Sequence, residues 1–225
     1  MTFSISGRCK RTGAFGVAVT TSSIAVAARC PFARANVGAV STQNVTNPSI
    51  GPKGLDLMAQ GMSAKTALER IVKNEPFPDF RQIAFIGKSG PPAFYEGAKT
   101  LGTHAGHTGA DSVGIGNLLA NTDVPRAMVE TFEAHPDLFI AERLLRALEE
   151  GLVAGGELDA VKSAGLYVVT EYPWPVCDLR VDWAEEGPIA KLRELWTLYE
   201  PQMEMYQIRA VNPTSAASYG VPGDP

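Results

Sequence analysis

The sequence predicts an α+β fold in which groups of short antiparallel strands are separated by pairs of helices. Two observations lead to this prediction: strand patterns of period two occur in clusters, and helical patterns lie between the clusters instead of after every strand. The 225 residues, of which 45% are hydrophobic and 20% charged, have an ordinary globular composition. Because no break in composition divides the chain, we expect one domain over residues 2–200 and an irregular tail over residues 201–225.

Polar and apolar side chains alternate over residues 2–9, which predicts a half-buried strand with Thr2 and Ser4 on the same face. A turn joins this strand to an apolar run at residues 15–21, so the two form a predicted hairpin. The glycine-rich stretch at residues 97–109 is expected to be a loop. The remaining predicted strands cover residues 37–43, 81–86, 93–96, 112–116, 163–170 and 176–182.

Helix starts are marked by residues that cap the first turn or by a proline within that turn. Apolar side chains at helical spacing follow each of these signals. Gly155 and Gly156 are typical of a left-handed stop, so they predict the end of one long helix. The predicted helix starts are Pro52, Ser63, Asp123, Asp137 and Pro188.

Charge and composition exclude several classes of function. The net charge is −4 and no cluster of lysine and arginine is present, so we expect no nucleic-acid partner. No run approaches the ~18 apolar residues of a membrane span, so no membrane partner is expected. The N-terminus lacks the features of a signal peptide, and the three widely spaced cysteines, Cys9, Cys30 and Cys177, indicate reduced thiols. We therefore expect a cytoplasmic protein.

The N-terminus carries a candidate nucleophile. Removal of Met1 would leave Thr2 with a free α-amine beside its own hydroxyl group. An α-amine of this kind has a pKa of about 7.7–8.0, so it can accept the hydroxyl proton near neutral pH. Many proteins begin with methionine and a small residue, so a first-strand threonine without catalytic function is the alternative.

Further motifs resemble one bacterial family. They begin with TFSI at residues 2–5 and GVAV at residues 16–19. In this order along the chain they resemble domain of unknown function 1028, which is grouped with the N-terminal-nucleophile (Ntn) hydrolases. The resemblance implies a four-layer αββα sandwich, two antiparallel sheets between helix layers, and Thr2 as the nucleophile of an amide hydrolase. The other motifs are ARANVGAV at 33–40, TQ at 42–43, NPS at 47–49, GPKGL at 51–55, AGH at 105–107, GNLL at 116–119 and DLRVD at 178–182.

One feature departs from the pattern that the resemblance implies. Proteasome subunits place a lysine on the third strand beside the nucleophile, and no lysine lies between Arg11 and Lys53 in this chain. Arg29 or Arg34 could supply positive charge, but an arginine is no base at neutral pH.

Amide side chains near strand ends are the candidates for stabilising a reaction intermediate. Asn117 and Gln43 are predicted to bind a developing oxyanion, and Asn47 to contact the substrate. Ser4 shares the face of Thr2 and is a candidate for orienting the substrate. Loop structuring by Asn47 and backbone hydrogen bonding by Ser4 are the alternatives.

Charged and histidine side chains supply the other candidates. Arg180 is a possible clamp for a substrate carboxylate with Asp178 orienting it, and a solvent-facing ion pair is the alternative. His107 is a candidate pocket residue. His104, His107 and Asp111 do not predict a metal site, because a glycine-rich loop gives them no fixed register. No cofactor is predicted either.

These observations leave two hypotheses. The first is an Ntn amide hydrolase that acts on a small amide or a short peptide. The second is a non-catalytic ligand-binding or assembly module on the same fold. The apolar content is compatible with a homo-oligomer in either case.

Overall fold

The computed structural model describes residues 1–223, and within them ten strands form two antiparallel sheets. The larger sheet has six strands in the order β10-β9-β2-β1-β8-β7, and the smaller has four in the order β3-β4-β5-β6. The strands are β1 (Thr2–Arg8), β2 (Phe15–Thr21), β3 (Pro31–Arg34), β4 (Gly38–Asn44), β5 (Arg81–Gly87), β6 (Ala93–Glu96), β7 (Ala105–Thr108), β8 (Ser112–Asn117), β9 (Ser163–Val169) and β10 (Cys177–Val181).

Five helices complete the described part of the chain. The first two pack on the smaller sheet, where Leu55 and Ile71 join Phe85 in one apolar cluster. The third and fourth pack on the larger sheet, and the fifth crosses its β9–β10 edge. The helices are α1 (Ile50–Ala59), α2 (Ala64–Asn74), α3 (Val124–Glu133), α4 (Ile140–Val153) and α5 (Pro188–Val211).

Strand β1 lies in the middle of the larger sheet and has two different faces. Phe3 and Ile5 are fully buried in the cluster that contains α3 and α4. Ser4 and Ser6 point the other way, since side chains alternate along a strand, and they hydrogen-bond to side chains of β4. The two sheets therefore contact each other through the face that carries Thr2.

The fold class is confirmed at the level of a mixed α/β protein with two antiparallel sheets and five helices among the described residues. Several local signals are confirmed too. The Ser63 hydroxyl accepts the backbone N–H of Thr66 at 3.1 Å, and Pro188 begins α5. Gly156 has a φ of 61°, as a left-handed helix stop requires.

Other predictions about the elements were wrong. The helix α4 begins at Ile140 instead of after Asp137, and α1 begins two residues before Pro52. Asp123 precedes α3 but pairs with Arg126 at 2.8 Å instead of capping the first turn. Strand β7 lies inside the predicted glycine-rich loop, since Gly106 allows the close approach of the Phe94 ring. The short strand β3 was not predicted.

The predicted irregular tail is corrected over residues 201–211, which continue α5 through Pro201. Proline removes one helical hydrogen bond, but this part of α5 is largely exposed, so water can satisfy the free carbonyl group. A short 3-10 turn at Pro213–Ser215 follows the helix. The last two residues of the predicted tail, 224 and 225, lie outside the described residues.

Candidate functional site

Thr2 begins the central strand β1 and lies between the ends of β2 and β8. Its side chain is buried, and its Oγ1 lies 3.2 Å from Oγ1 of Thr21 on the neighbouring strand. Both hydroxyl groups donate to the carbonyl oxygen of Met1. Two buried hydroxyl donors therefore converge on one carbonyl oxygen directly beside the predicted nucleophile.

A chain of buried amide side chains links the two sheets next to Thr2. The Nε2 of Gln43 donates to the Thr2 carbonyl oxygen at 3.3 Å and to Gln82 Oε1 at 2.8 Å. The Oε1 of Gln43 accepts the Ser4 hydroxyl at 2.7 Å. Asn117, which pairs with Thr2 across the β1–β8 ladder, donates from Nδ2 to Gln82 Oε1 at 2.9 Å. Gln43 and Ser4 are thus fully used in holding β1.

The orientation of these amides is fixed by groups that can only accept hydrogen bonds. Gln82 Nε2 donates to the Gly116 carbonyl oxygen at 2.7 Å and to the Glu96 carboxylate at 2.8 Å. Because these partners require a donor, the Gln82 amide is oriented with its oxygen toward Asn117. Asn117 must therefore donate from its NH₂ group. The remaining Asn117 atom, Oδ1, is buried and has no hydrogen-bond partner among the described residues. An unused acceptor therefore lies beside Thr2.

Glu157 is a second buried group with an unused acceptor, and sequence reasoning missed it. The residue is 8% exposed, and its Oε2 accepts the Ser22 backbone N–H at 3.1 Å. Its Oε1 has no partner among the described residues. Burial raises the pKa of Glu157 to about 7, against the opposing effects of the positive N-terminal amine of Met1 and the hydrogen bond from Ser22.

Ser23 links the positively charged side chain of Arg29 to the site by hydrogen bonds. The Arg29 guanidinium donates to Ser23 Oγ at 2.7 Å, and that oxygen lies 3.3 Å from Thr21 Oγ1. Arg34 instead pairs with Asp56 on the surface at 2.8 Å. Of the two arginines considered as replacements for a lysine, Arg29 is the one that the structure connects to Thr2.

Four of the predicted residues, Thr2, Ser4, Gln43 and Asn117, come together at this site. Three polar residues that sequence reasoning did not select, Thr21, Gln82 and Glu157, join them. Thr21 and Gln82 lie within predicted strands, on the same face as Thr2 and Gln43 respectively, so the strand register could have identified them.

Asn47 does not join the site. Its Nδ2 donates to Glu75 Oε2 at 2.8 Å, and its Oδ1 accepts the backbone N–H and the hydroxyl of Ser49. Asn47 therefore structures the loop before α1, as the alternative interpretation of this residue held.

His107 also lies away from Thr2. It is opposite Gly114, which in turn is opposite Ile5, and directly paired residues point to the same face of a sheet. Since Ile5 faces the helices, His107 is on the face of the larger sheet that Thr2 does not use. The histidine that does reach the polar chain is His104, whose Nδ1 lies 3.0 Å from Glu96 Oε1.

Asp178 and Arg180 lie on the edge strand β10, separated from β1 by two strands. Arg180 donates from Nε and Nη2 to the two carboxylate oxygens of Asp178 at 2.7 and 2.9 Å. Hydrogen bonding to Asp178 raises the pKa of Arg180 further above its usual value. The clamp hypothesis is therefore not supported by position, because the two charges satisfy each other on a partly exposed edge.

Neither a candidate metal-binding cluster nor a membrane-spanning helix is present among the described residues. No group of three or more histidine, cysteine, aspartate or glutamate side chains in residues 1–223 is placed to hold a metal ion. Within the same range, every helix is too short or too polar to cross a membrane.

Comparison with known proteins links the chain to one family. The profile of a family of unknown function, DUF1028, matches residues 2–192. A solved structure of a DUF1028 protein from Silicibacter pomeroyi is 28% identical, with a TM-score of 0.81 and 88% of each chain covered. The ancestral β-subunit Anbu from Yersinia bercovieri is 10% identical, with a TM-score of 0.36 and coverage of 91% and 96%. No curated protein matches the chain.

Proposed function

The chain belongs to the DUF1028 family, and we propose that it is an N-terminal-nucleophile amide hydrolase built as a four-layer αββα sandwich. The packing of one helix pair on the outer face of each sheet supports this layering. One observation carries the functional proposal: the Thr2 and Thr21 hydroxyl groups converge on a carbonyl oxygen at the end of the central strand. The Thr21 hydroxyl thus supplies a donor to a carbonyl oxygen beside the Thr2 hydroxyl, and stabilisation of an oxyanion next to a nucleophile needs such a donor.

The reaction begins when Met1 is removed and the Thr2 amine becomes free. This amine accepts the proton of the Thr2 hydroxyl while Oγ1 attacks the substrate carbonyl carbon, and the C=O electrons move onto the oxygen. When the oxyanion collapses, the C–N bond breaks and the leaving nitrogen takes the proton from the Thr2 ammonium group. Water, deprotonated by the same amine, then hydrolyses the ester on Thr2 and releases a carboxylic acid.

We propose the supporting roles from the atoms that are free at the site. Thr21 has a hydroxyl hydrogen for the oxyanion, as its bond to the Met1 carbonyl indicates. Asn117 presents only an acceptor, Oδ1, so it is suited to hold the Thr2 amine and not the oxyanion for which the sequence suggested it. Gln43 holds the Thr2 backbone carbonyl and has no atom left for the substrate.

The setting of the reaction is part of the proposal. The substrate is a small amide or a short peptide, and the protein acts in the cytoplasm, where its buried cysteines stay reduced. We propose a homo-oligomer because α5 exposes several apolar side chains. These are Leu195, Leu198, Tyr206 and Val211.

The first test uses the protein purified without an N-terminal tag. Intact mass shows whether Met1 is absent, and a β-lactone probe, which a threonine hydroxyl opens to an ester, shows whether Thr2 reacts. We expect Thr2→Ser to keep labelling and amide hydrolysis, and Thr2→Ala to lose both. Thr20→Ala is the matched control, because it removes a buried hydroxyl from the opposite face of the sheet. Retained Met1 and an unlabelled Thr2 would instead establish the non-catalytic alternative.

A further inference from the structure

Met1 shows how an aminoacyl group fits in front of Thr2. Its carbonyl oxygen is bound by the hydroxyl groups of Thr2 and Thr21. In an acyl-enzyme the acyl group would be bonded to Oγ1 of Thr2 instead of to its nitrogen. Because both atoms belong to the same residue, the two carbonyl groups occupy neighbouring positions. Met1 therefore marks the space that the acyl part of a substrate would fill.

Glu157 borders this space. The Thr21 hydroxyl donates to the Met1 carbonyl, and the backbone N–H of the next residue, Ser22, donates to Glu157 Oε2 at 3.1 Å. Consecutive residues thus hold the acyl carbonyl and the carboxylate. The positive charge of the Met1 amine opposes the raised pKa of Glu157, as the ammonium group of a bound substrate would.

The carboxylate is unsatisfied. Glu157 Oε1 is buried without a hydrogen-bond partner, and no lysine or arginine in residues 1–223 forms an ion pair with this residue. A buried anion without a partner is costly, because burial removes its hydration and nothing replaces it. An ammonium group has three donors and a positive charge, so it would supply what Oε1 lacks.

We infer that Glu157 binds the α-ammonium group of the substrate, and that the substrates are amides of α-amino acids or short peptides with a free N-terminus. The inference rests on the proposed function, since it places the substrate acyl group at Thr2. An N-acylated compound carries no ammonium group, so on binding it would shield Glu157 from water without providing a countercharge. The enzyme therefore selects for a free amine.

The experiment compares methionine p-nitroanilide with N-acetylmethionine p-nitroanilide on three proteins: wild type, Glu157→Gln and Glu171→Gln. Glutamine keeps an oxygen for the Ser22 N–H but removes the charge. Glu171 is an exposed acid after the end of β9, so its variant is a control with the same change in net charge. We expect Glu157→Gln to lower kcat/KM for the free amine by about ten-fold or more, mainly through KM. The N-acetyl substrate and the control should be unaffected.

The outcomes distinguish failure of the ammonium site from failure of the proposed hydrolase function. Equal kcat/KM for both substrates in wild type would overturn the inference, and so would an unchanged preference for the free amine in Glu157→Gln. In either case, labelling of Thr2 by the β-lactone would still support the hydrolase proposal. If wild type hydrolyses neither substrate, calorimetric titration with methionine amide and N-acetylmethionine amide decides the ammonium site. Tighter binding of methionine amide that Glu157→Gln abolishes supports the site without catalysis. Equal binding of both compounds overturns it.

Discussion

Glu75 and Glu157 are two buried glutamates in opposite electrostatic situations. The Glu75 side chain is 6% exposed and pairs with Arg81 at 2.8 Å, while Asn47 binds its other oxygen. Burial raises the pKa of Glu75, but the hydrogen bonds from Arg81 and Asn47 and the arginine charge outweigh it, so its pKa lies below the usual value. Glu157 has one backbone donor and no ion pair, and its pKa rises to about 7.

The difference separates a structural carboxylate from one suited to a ligand. Every oxygen of Glu75 is used inside the protein, and the group joins the loop after α2 to strand β5. Glu157 leaves one oxygen unused, while its other oxygen binds the backbone N–H of Ser22, the residue after Thr21. A buried group that the protein does not satisfy lowers stability, and such groups are concentrated at functional sites. Substitutions at the two positions should therefore change stability in opposite directions.

The largest effect is expected for Glu75→Gln. It leaves the Arg81 guanidinium, which is 8% exposed as a residue, without a countercharge, and it should lower the free energy of unfolding by about 3 kcal/mol. Urea denaturation at pH 7 measures the loss. Glu69→Gln is the control, because Glu69 is exposed and lies 4.0 Å from Lys65, and it should change stability by less than about 0.5 kcal/mol. Equal losses of unfolding free energy in Glu75→Gln and Glu69→Gln would show that the Arg81 guanidinium does not need a carboxylate beside it.

The next largest effect is the opposite one, in Glu157→Gln. Between the usual pKa of 4.5 and the folded-state value of about 7, folded Glu157 keeps a proton that the unfolded chain has released. Wild-type stability therefore falls as the pH rises through this range, and the cost is constant above it. Glutamine has no such cost, so the variant should be more stable by about 2 kcal/mol at pH 8 and equal to wild type below pH 4.5.

Urea denaturation of wild type and variant from pH 4 to pH 8 measures this dependence. Glu171→Gln serves as the control, and its stability difference from wild type should stay small over the whole range, because Glu171 is exposed. A Glu157→Gln variant that is less stable than wild type at pH 8 would mean that the carboxylate has a favourable partner in the folded protein.

A smaller effect is expected for Arg81→Lys, which keeps the charge but loses the planar fork. Arg81 donates from Nε and Nη2 to Glu75 Oε1 and from Nη1 to the Val45 carbonyl oxygen. One ammonium group cannot maintain all three bonds, so we expect a loss of about 1 kcal/mol in urea denaturation. Arg126→Lys, at an exposed pair, is the matched control. A loss as large as that of Glu75→Gln would assign the stability to geometry instead of charge.

The sequence predicted the parts of the fold that depend on local pattern. Alternation located β1, and it placed Thr2 and Ser4 on one face. Caps and prolines located most helix starts, with errors of two to three residues at α1 and α4. The short strand β7 was missed because its four residues, AGHT, carry no alternation of apolar and polar side chains and lie in a glycine-rich stretch.

The site was predictable only in part, because its residues meet through contacts between distant parts of the chain. Asn47 and Asn117 are both asparagines near the end of a predicted strand. Only tertiary contacts show that Asn47 binds Glu75 and that Asn117 lies opposite Thr2. Glu157 follows the turn after α4 and reaches the site through an isolated bridge between its backbone and Leu119, a long-range contact without a sequence signal. The three residues that follow Glu157 are exposed, and the two before it are glycines, so the local sequence does not indicate burial.

The smallest effect tests whether the N-terminal amine acts on Glu157 at all. Acetylating the α-amine of protein that retains Met1 removes a positive charge that opposes the raised pKa of Glu157. We expect the pKa to rise by a few tenths of a unit, measured by NMR titration of the side-chain carboxyl carbons of labelled glutamates. Glu75 is the internal control, because its pKa is set by burial, Arg81 and Asn47 and should not move. If the pKa of Glu157 is also unchanged, the charge of the Met1 amine does not act on the carboxylate. The position of Met1 would then lend no electrostatic support to an ammonium site at Glu157, while the contrast between the two glutamates would stand.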